Sequence, residues 1–122
     1  MLIRYKKAME KIAMGLLSFM PEHKELKKLV DTMQLYDQHD DWQLYLWKKN
    51  DEYVGAIGVK IEDNTAVIQH ITVIPSYRGE GVAKEMVSEL CDLDTVEHVR
   101  AIDEVQPFIE KCMKELKEAC IE

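Results

Sequence analysis

The sequence predicts an α+β fold, a mostly antiparallel sheet flanked by helices in the order β-α-α-β-β-β-α-β-α. Three observations predict it. Apolar residues recur at helical spacing through residues 9–37. They then switch to three runs rich in aromatic and β-branched residues, joined by very short turns. Helical spacing returns twice afterwards, on either side of one short strand-like run.

Each element has its own signal. "LIRYKK" (residues 2–7) alternates apolar and polar and reads as a short first strand. Met9, Ile12, Ala13, Leu16 and Met20 mark a first helix, which stops at Pro21. Leu26, Leu29, Val30, Met33 and Tyr36 mark a second amphipathic helix that gives way to the polar loop "DQHDD". "WQLYLWKK" and "YVGAIGVKI" read as strands, and the "NDE" between them has the composition of a hairpin loop. A second tight turn, "EDNT", leads into "AVIQHITVI". Connections this short force antiparallel neighbours, because a parallel pair needs a long crossover. Trp42 and Trp47, five apart, fall on opposite faces of their strand as packing residues. Val82, Met86, Val87 and Leu90 predict a third helix, "EHVRAI" a fifth strand, and "DEVQPFIEKCMKELKEAC" a terminal helix. In that helix Asp103 and Gln106 have capping-box spacing, and Pro107 suits a first turn.

Composition limits the function classes. The 122 residues suit one domain over 1–122, and 47% hydrophobic with 32% charged residues is a globular balance. A formal net charge of -7 disfavours nucleic acid as a partner, since a duplex needs neutralising lysines and arginines. The run "IAMGLLSFM" is too short to span a bilayer, adjoins Glu10 and Lys11, and precedes no small-x-small cleavage site. A cytoplasmic protein without membrane contact is expected. Cys91, Cys112 and Cys120 are odd in number and form no Cys-x-x-Cys pair, so they read as buried reduced thiols. Asp31, Asp37, His39, Asp40 and Asp41 read as a polar loop, and no metal site is expected.

The segment "PSYRGEGVAKEM" carries chemistry. It follows a strand and opens a helix, whose first N–H groups lack intrahelical acceptors and favour an anion. Gly79 and Gly81 let the main chain curl so that several N–H groups approach one pyrophosphate, with Arg78 and Lys84 adding charge at the rim. A Walker loop is excluded because Lys84 is followed by Glu85 and the glycine spacing is wrong. A dinucleotide fingerprint is excluded because Lys84 stands where a third glycine is needed, and because antiparallel hairpins precede the loop.

With its preceding strand, "HITVIPSYRGEGVAKEMV" resembles the acetyl-CoA motif of the GNAT superfamily of N-acetyltransferases, R/Q-x-x-G-x-G/A. Arg78, Gly81 and Ala83 match its three defining positions, and "YVGAIGV", Pro75 and "FIEKC" also fit that family. The opening segment with "LWKK" and "VGAIGV" is similar to the small acetyltransferase-like proteins encoded in riboflavin operons. The resemblance implies an acetyl-CoA-dependent transfer to a small-molecule or protein amine, or, as an alternative, an acyl-CoA-binding module with little transferase activity. It implies that Ile71, Thr72 and Val73 pair with the pantetheine arm, and that Arg78, Gly79, Glu80, Gly81, Val82, Ala83 and Lys84 hold the pyrophosphate. It also implies a splay between the fourth and fifth strands, with an N–H near Val73 polarising the thioester carbonyl.

The catalytic half departs from the family pattern. Positions that carry a base in several members hold Val67 and Gln69 here, and the position of the family's tyrosine acid holds Ile109. His70 is the remaining candidate on that strand, read first as a histidine hydrogen-bonded in or beside the core and only second as catalytic, and strict alternation places it on the face opposite residues 67 and 69. Tyr45, Tyr53 and Cys112 are the substitute acids. Two strands that close the acceptor side in most members have no counterpart after Met113, so the sheet edge is expected to be incomplete or covered in a homodimer.

Overall fold

The computed structural model describes residues 1–93 and 96–112. Among these residues five strands form one sheet in sequence order: β1 (Leu2–Arg4), β2 (Trp42–Lys49), β3 (Glu52–Glu62), β4 (Thr65–Val73) and β5 (His98–Ala101). The first four are antiparallel and β5 runs parallel to β4. Helices α1 (Glu10–Leu17) and α2 (Leu26–Gln38) precede β2, α3 (Val82–Cys91) joins β4 to β5, and α4 (Gln106–Cys112) follows. The element order and the mostly antiparallel sheet are those the sequence predicts.

Both hairpins turn through a pair of left-handed residues. Asn50 and Asp51 have φ of 53° and 63°, and Asp63 and Asn64 have φ of 49° and 37°. Two successive positive φ values are what a type I′ turn demands, and Asn and Asp tolerate them better than other non-glycine residues.

The sheet separates two apolar layers. On one face Val54, Ile57, Val59, Ile68, Ile71 and Val73 pack against Val82, Met86, Val87 and Leu90 of α3 and Ile109 of α4. On the other, Leu44, Leu46 and Ala56 meet Ala13, Leu16 and Leu17 of α1 and Leu29, Met33 and Tyr36 of α2. Trp47 belongs to the first layer and Trp42 to the edge of the second, so the two tryptophans do occupy opposite faces. Both N-terminal helices sit rotated by about one position from the predicted stripe. Ile12, Leu26 and Val30 are exposed, while Leu17 and Thr32 are buried. In α4, Gln106 hydrogen-bonds forward to Glu110 at 3.2 Å, so the predicted capping box with Asp103 does not form.

A bulge sets the geometry of β4. His70 pairs with Gly58 but Ile68 pairs with Val59, leaving Gln69 as an extra residue. Ile68 and Ile71, three apart, therefore share the α3 face. His70 and Val67 share the other face, which corrects the expectation from strict alternation. Cys91 is disulfide-bonded, correcting the reading of a free thiol, because the fold pairs cysteines that no local motif marks. The readings of the Cys112 side chain, of Cys120 and of the chain after residue 112 lie outside the described residues. Among the described residues no helix is long and apolar enough to cross a membrane.

Candidate functional site

The bulge also marks where β5 leaves β4. Their pairing runs from Thr65 with His98 to Ile68 with Ala101, and ends with the Ile102 N–H donating to the Ile68 carbonyl at 3.1 Å. Beyond that point β4 continues without β5. The Ile74 N–H donates to Val54 of β3 at 2.9 Å, and main-chain groups alternate in direction along a strand. The N–H and C=O groups of Ile71 and Val73 therefore point away from β3, into the gap that β5 has vacated.

That gap is a cleft of about 520 Å³, within the usual range for small-ligand sites. Ile71, Thr72 and Val73 form its floor, and Arg78, Gly79, Gly81, Val82, Ala83 and Lys84 line one end. Glu80 is exposed and does not line it. The structure thus brings together nine of the ten residues expected at a coenzyme site. Further lining comes from Phe19, Met20 and Pro21 after α1, from Tyr77, and from Phe108 on α4. Sequence reasoning did not place the α1 residues there, because contacts between segments about fifty residues apart leave no local pattern.

The end formed by α3 is built for an anion. Gly79 and Gly81 have φ of 83° and 81°, and a Cβ on either would meet open space. The constraint at these positions is therefore the left-handed backbone, which L side chains rarely adopt. Gly81 is the N-cap of α3 and no side chain caps the helix, so its first N–H groups are not consumed locally. Arg78 is anchored by its Nε, which donates to the Val73 carbonyl at 3.0 Å. That bond ties the loop to the end of β4 and leaves the two Nη groups for other partners.

His70 lies outside the cleft lining, on the face covered by α2. Its Nδ1 is 2.6 Å from the Tyr36 hydroxyl, and its ring centroid is 5.0 Å from that of His23. Burial, and secondarily the neighbouring His23, lowers its pKa to about 4, so it is neutral at ordinary pH. His23 is itself buried, with Nδ1 donating to the Leu17 carbonyl at 3.2 Å and Nε2 2.9 Å from the Thr32 hydroxyl. These contacts hold the turn Pro21–His23, and with it one wall of the cleft, against α2. Tyr45 and Tyr53 do not line the cleft either; Tyr77 does, and its hydroxyl donates to Glu52 at 3.3 Å. Gln69 donates to the Val67 carbonyl at 3.2 Å and carries no base.

A model of the acetyltransferase (GNAT) family matches residues 10–107. The chain belongs to that family. A Bacillus methanolicus protein described as an uncharacterized N-acetyltransferase in the lysA 3′ region is 50% identical over 113 residues, 92% of this chain and 94% of that one. Among solved structures, aminoglycoside N-acetyltransferase AAC(6′)-Iy in complex with CoA has a TM-score of 0.76 at 15% identity, covering 96% of this chain and 86% of that chain. A Bacillus halodurans protein described as a transcriptional regulator has a TM-score of 0.68 at 14% identity, covering 100% of this chain and 95% of that chain. At such identities the structural likeness shows the fold alone. Family membership supplies the reaction class, enzymatic acetyl transfer from an acyl-CoA donor.

Proposed function

We propose that the chain is an N-acetyltransferase that binds acetyl-CoA in the β4–α3 cleft and passes the acetyl group directly to an amine. The observation that carries this reading is the coincidence of two features in one cleft. The N–H groups of Ile71 and Val73 and the Ile71 carbonyl, beyond the end of the β4–β5 ladder, line its floor, and a glycine-shaped, uncapped helix start closes its end. The floor suits the amide-bearing pantetheine arm, which would add to β4 as an extra strand. The helix start, with the Arg78 Nη groups, suits the pyrophosphate. An N–H of Ile71 or Val73 facing the thioester oxygen would stabilise the tetrahedral intermediate, an effect worth about 3 kcal/mol where single donors have been removed. With Val67, Gln69 and Ile109 at the base and acid positions, orientation carries the remaining burden.

The test is a calorimetric titration with acetyl-CoA of the wild type and of Gly81→Val, followed by thiol-release assays over an amine panel. Saturable binding, lost in a folded Gly81→Val, is expected. Unchanged affinity in that variant would place the coenzyme elsewhere. The resemblance of the opening segment to riboflavin-operon proteins supports adding aminopyrimidines of that pathway to the panel. Binding without thiol release above hydrolysis for any amine would replace the enzyme with an acyl-CoA-binding module.

A further inference from the structure

We infer that the acceptor is a planar aromatic amine, uncharged at neutral pH, held between Phe19 and Phe108. This rests on the acetyl-CoA reading above and names the substrate class of the same site. Three independent features of the cleft lead to it.

The first is charge. Among the described residues, Arg78 and Lys84 are the charged ones lining the cleft, both cationic and both at the α3 end, and none is Asp, Glu or His. An aliphatic ammonium or polycation would find no carboxylate among these residues to replace its hydration, and such desolvation is costly. The second is the proton inventory. An aliphatic amine with a lysine-like pKa of about 10.4 is almost wholly protonated at neutral pH and cannot attack until a base removes that proton. Among the described residues no base is in place. Val67 and Gln69 cannot serve, and the His70 Nδ1 is engaged with Tyr36 on the far face of β4. An aromatic amine delocalises its lone pair into the ring and stays neutral, so it needs no prior deprotonation.

The third is shape. Phe19, after α1 on one side of the sheet, and Phe108, on α4 on the other, both line the cleft and remain 43% and 42% exposed, although large aromatics normally bury their rings. A flat ring between them would recover that area and add aromatic contacts worth about 1 kcal/mol each. The step balances without further reagents. The nitrogen lone pair attacks the thioester carbonyl carbon and the C–S bond breaks, its electron pair leaving on sulfur. The nitrogen's proton passes through water to the thiolate, giving an N-aryl acetamide and free coenzyme thiol.

The experiment measures thiol release from acetyl-CoA with 4-methoxyaniline, butylamine and spermidine, each corrected for the enzyme-free rate, and compares Phe19→Ala and Phe108→Ala. At neutral pH the arylamine is expected to react at least about tenfold faster than either aliphatic amine, with a rate flat from about pH 6 to 9. Each Phe variant should raise the arylamine KM about tenfold while the calorimetric Kd for acetyl-CoA stays within about twofold. A faster reaction with butylamine or spermidine, rising with their free-base fraction, overturns the inference and leaves the acetyl-CoA reading standing. So does a Kd that rises in step with KM, which would assign both rings to the pantetheine arm. Absence of acetyl-CoA binding instead removes the reading on which the inference rests.

Discussion

Gly58 shows how tightly single residues set the packing behind the cleft. A Cβ there would collide with the Tyr36 hydroxyl, which sits against β3 on its way to His70. Gly58→Ala should displace Tyr36, break its bond to His70 and cost about 2 kcal/mol, read as a lowered urea midpoint with unchanged slope. His70 makes a separate prediction. Its folded-state pKa of about 4 lies below the ordinary 6.5 because burial disfavours the imidazolium. Between those values the unfolded chain binds a proton that the folded chain does not, so stability falls as pH drops through the window. The loss approaches about 3 kcal/mol by pH 4. Carboxylates titrate there too, so the measure is the stability difference between the wild type and His70→Asn. That difference should shrink from pH 7 to about 4.5, whereas parallel curves would place a charged imidazolium in the folded state.

At the scale of elements, β4 does most to create the site. The extra residue at Gln69 bends the strand where β5 departs, and both events follow Ile68. Deleting Gln69 would restore plain alternation while keeping Ile68 and Ile71 on the α3 face. The variant should therefore fold, yet bind acetyl-CoA at least about tenfold more weakly because the gap beside Ile71 and Val73 narrows. Wild-type affinity in a folded deletion variant would separate the bulge from the cleft. The strands were legible because "WQLYLWKK" and "YVGAIGVKI" are runs rich in aromatic and β-branched residues and because the turns after them contain Asn and Asp. The bulge was not, since Gln69 and His70 are two polar residues in sequence and either fits a regular strand. For the same reason alternation put His70 on the wrong face. The helix starting at Val82 was legible from its spacing, and its anion-binding end from Gly79 and Gly81.

For the whole molecule, two apolar layers hold α1 and α2 on one side of the sheet and α3 and α4 on the other. The cleft opens where β5 parts from β4, and each side contributes one wall. Its floor and α3 end could be read from one continuous stretch, residues 71–84, because the strand, loop and helix that build them are consecutive. The walls could not. Phe19 and Phe108 are 89 positions apart and come to one cleft only through the packing of α1 and α4 around the sheet. The disulfide at Cys91 escaped for a related reason, since no Cys-x-x-Cys spacing announces it. The residues proposed for the donor are therefore local in this chain, whereas those proposed for the acceptor are distributed over it. The central claim is that acetyl-CoA lies along β4 with its pyrophosphate at the start of α3. Amide resonances followed by nitrogen-15 NMR during an acetyl-CoA titration test this most directly. The largest shifts should fall on Ile71, Val73, Gly79, Gly81, Val82 and Ala83. Shifts concentrated instead around the second opening, between Met1, Trp47 and Glu89, would contradict the account.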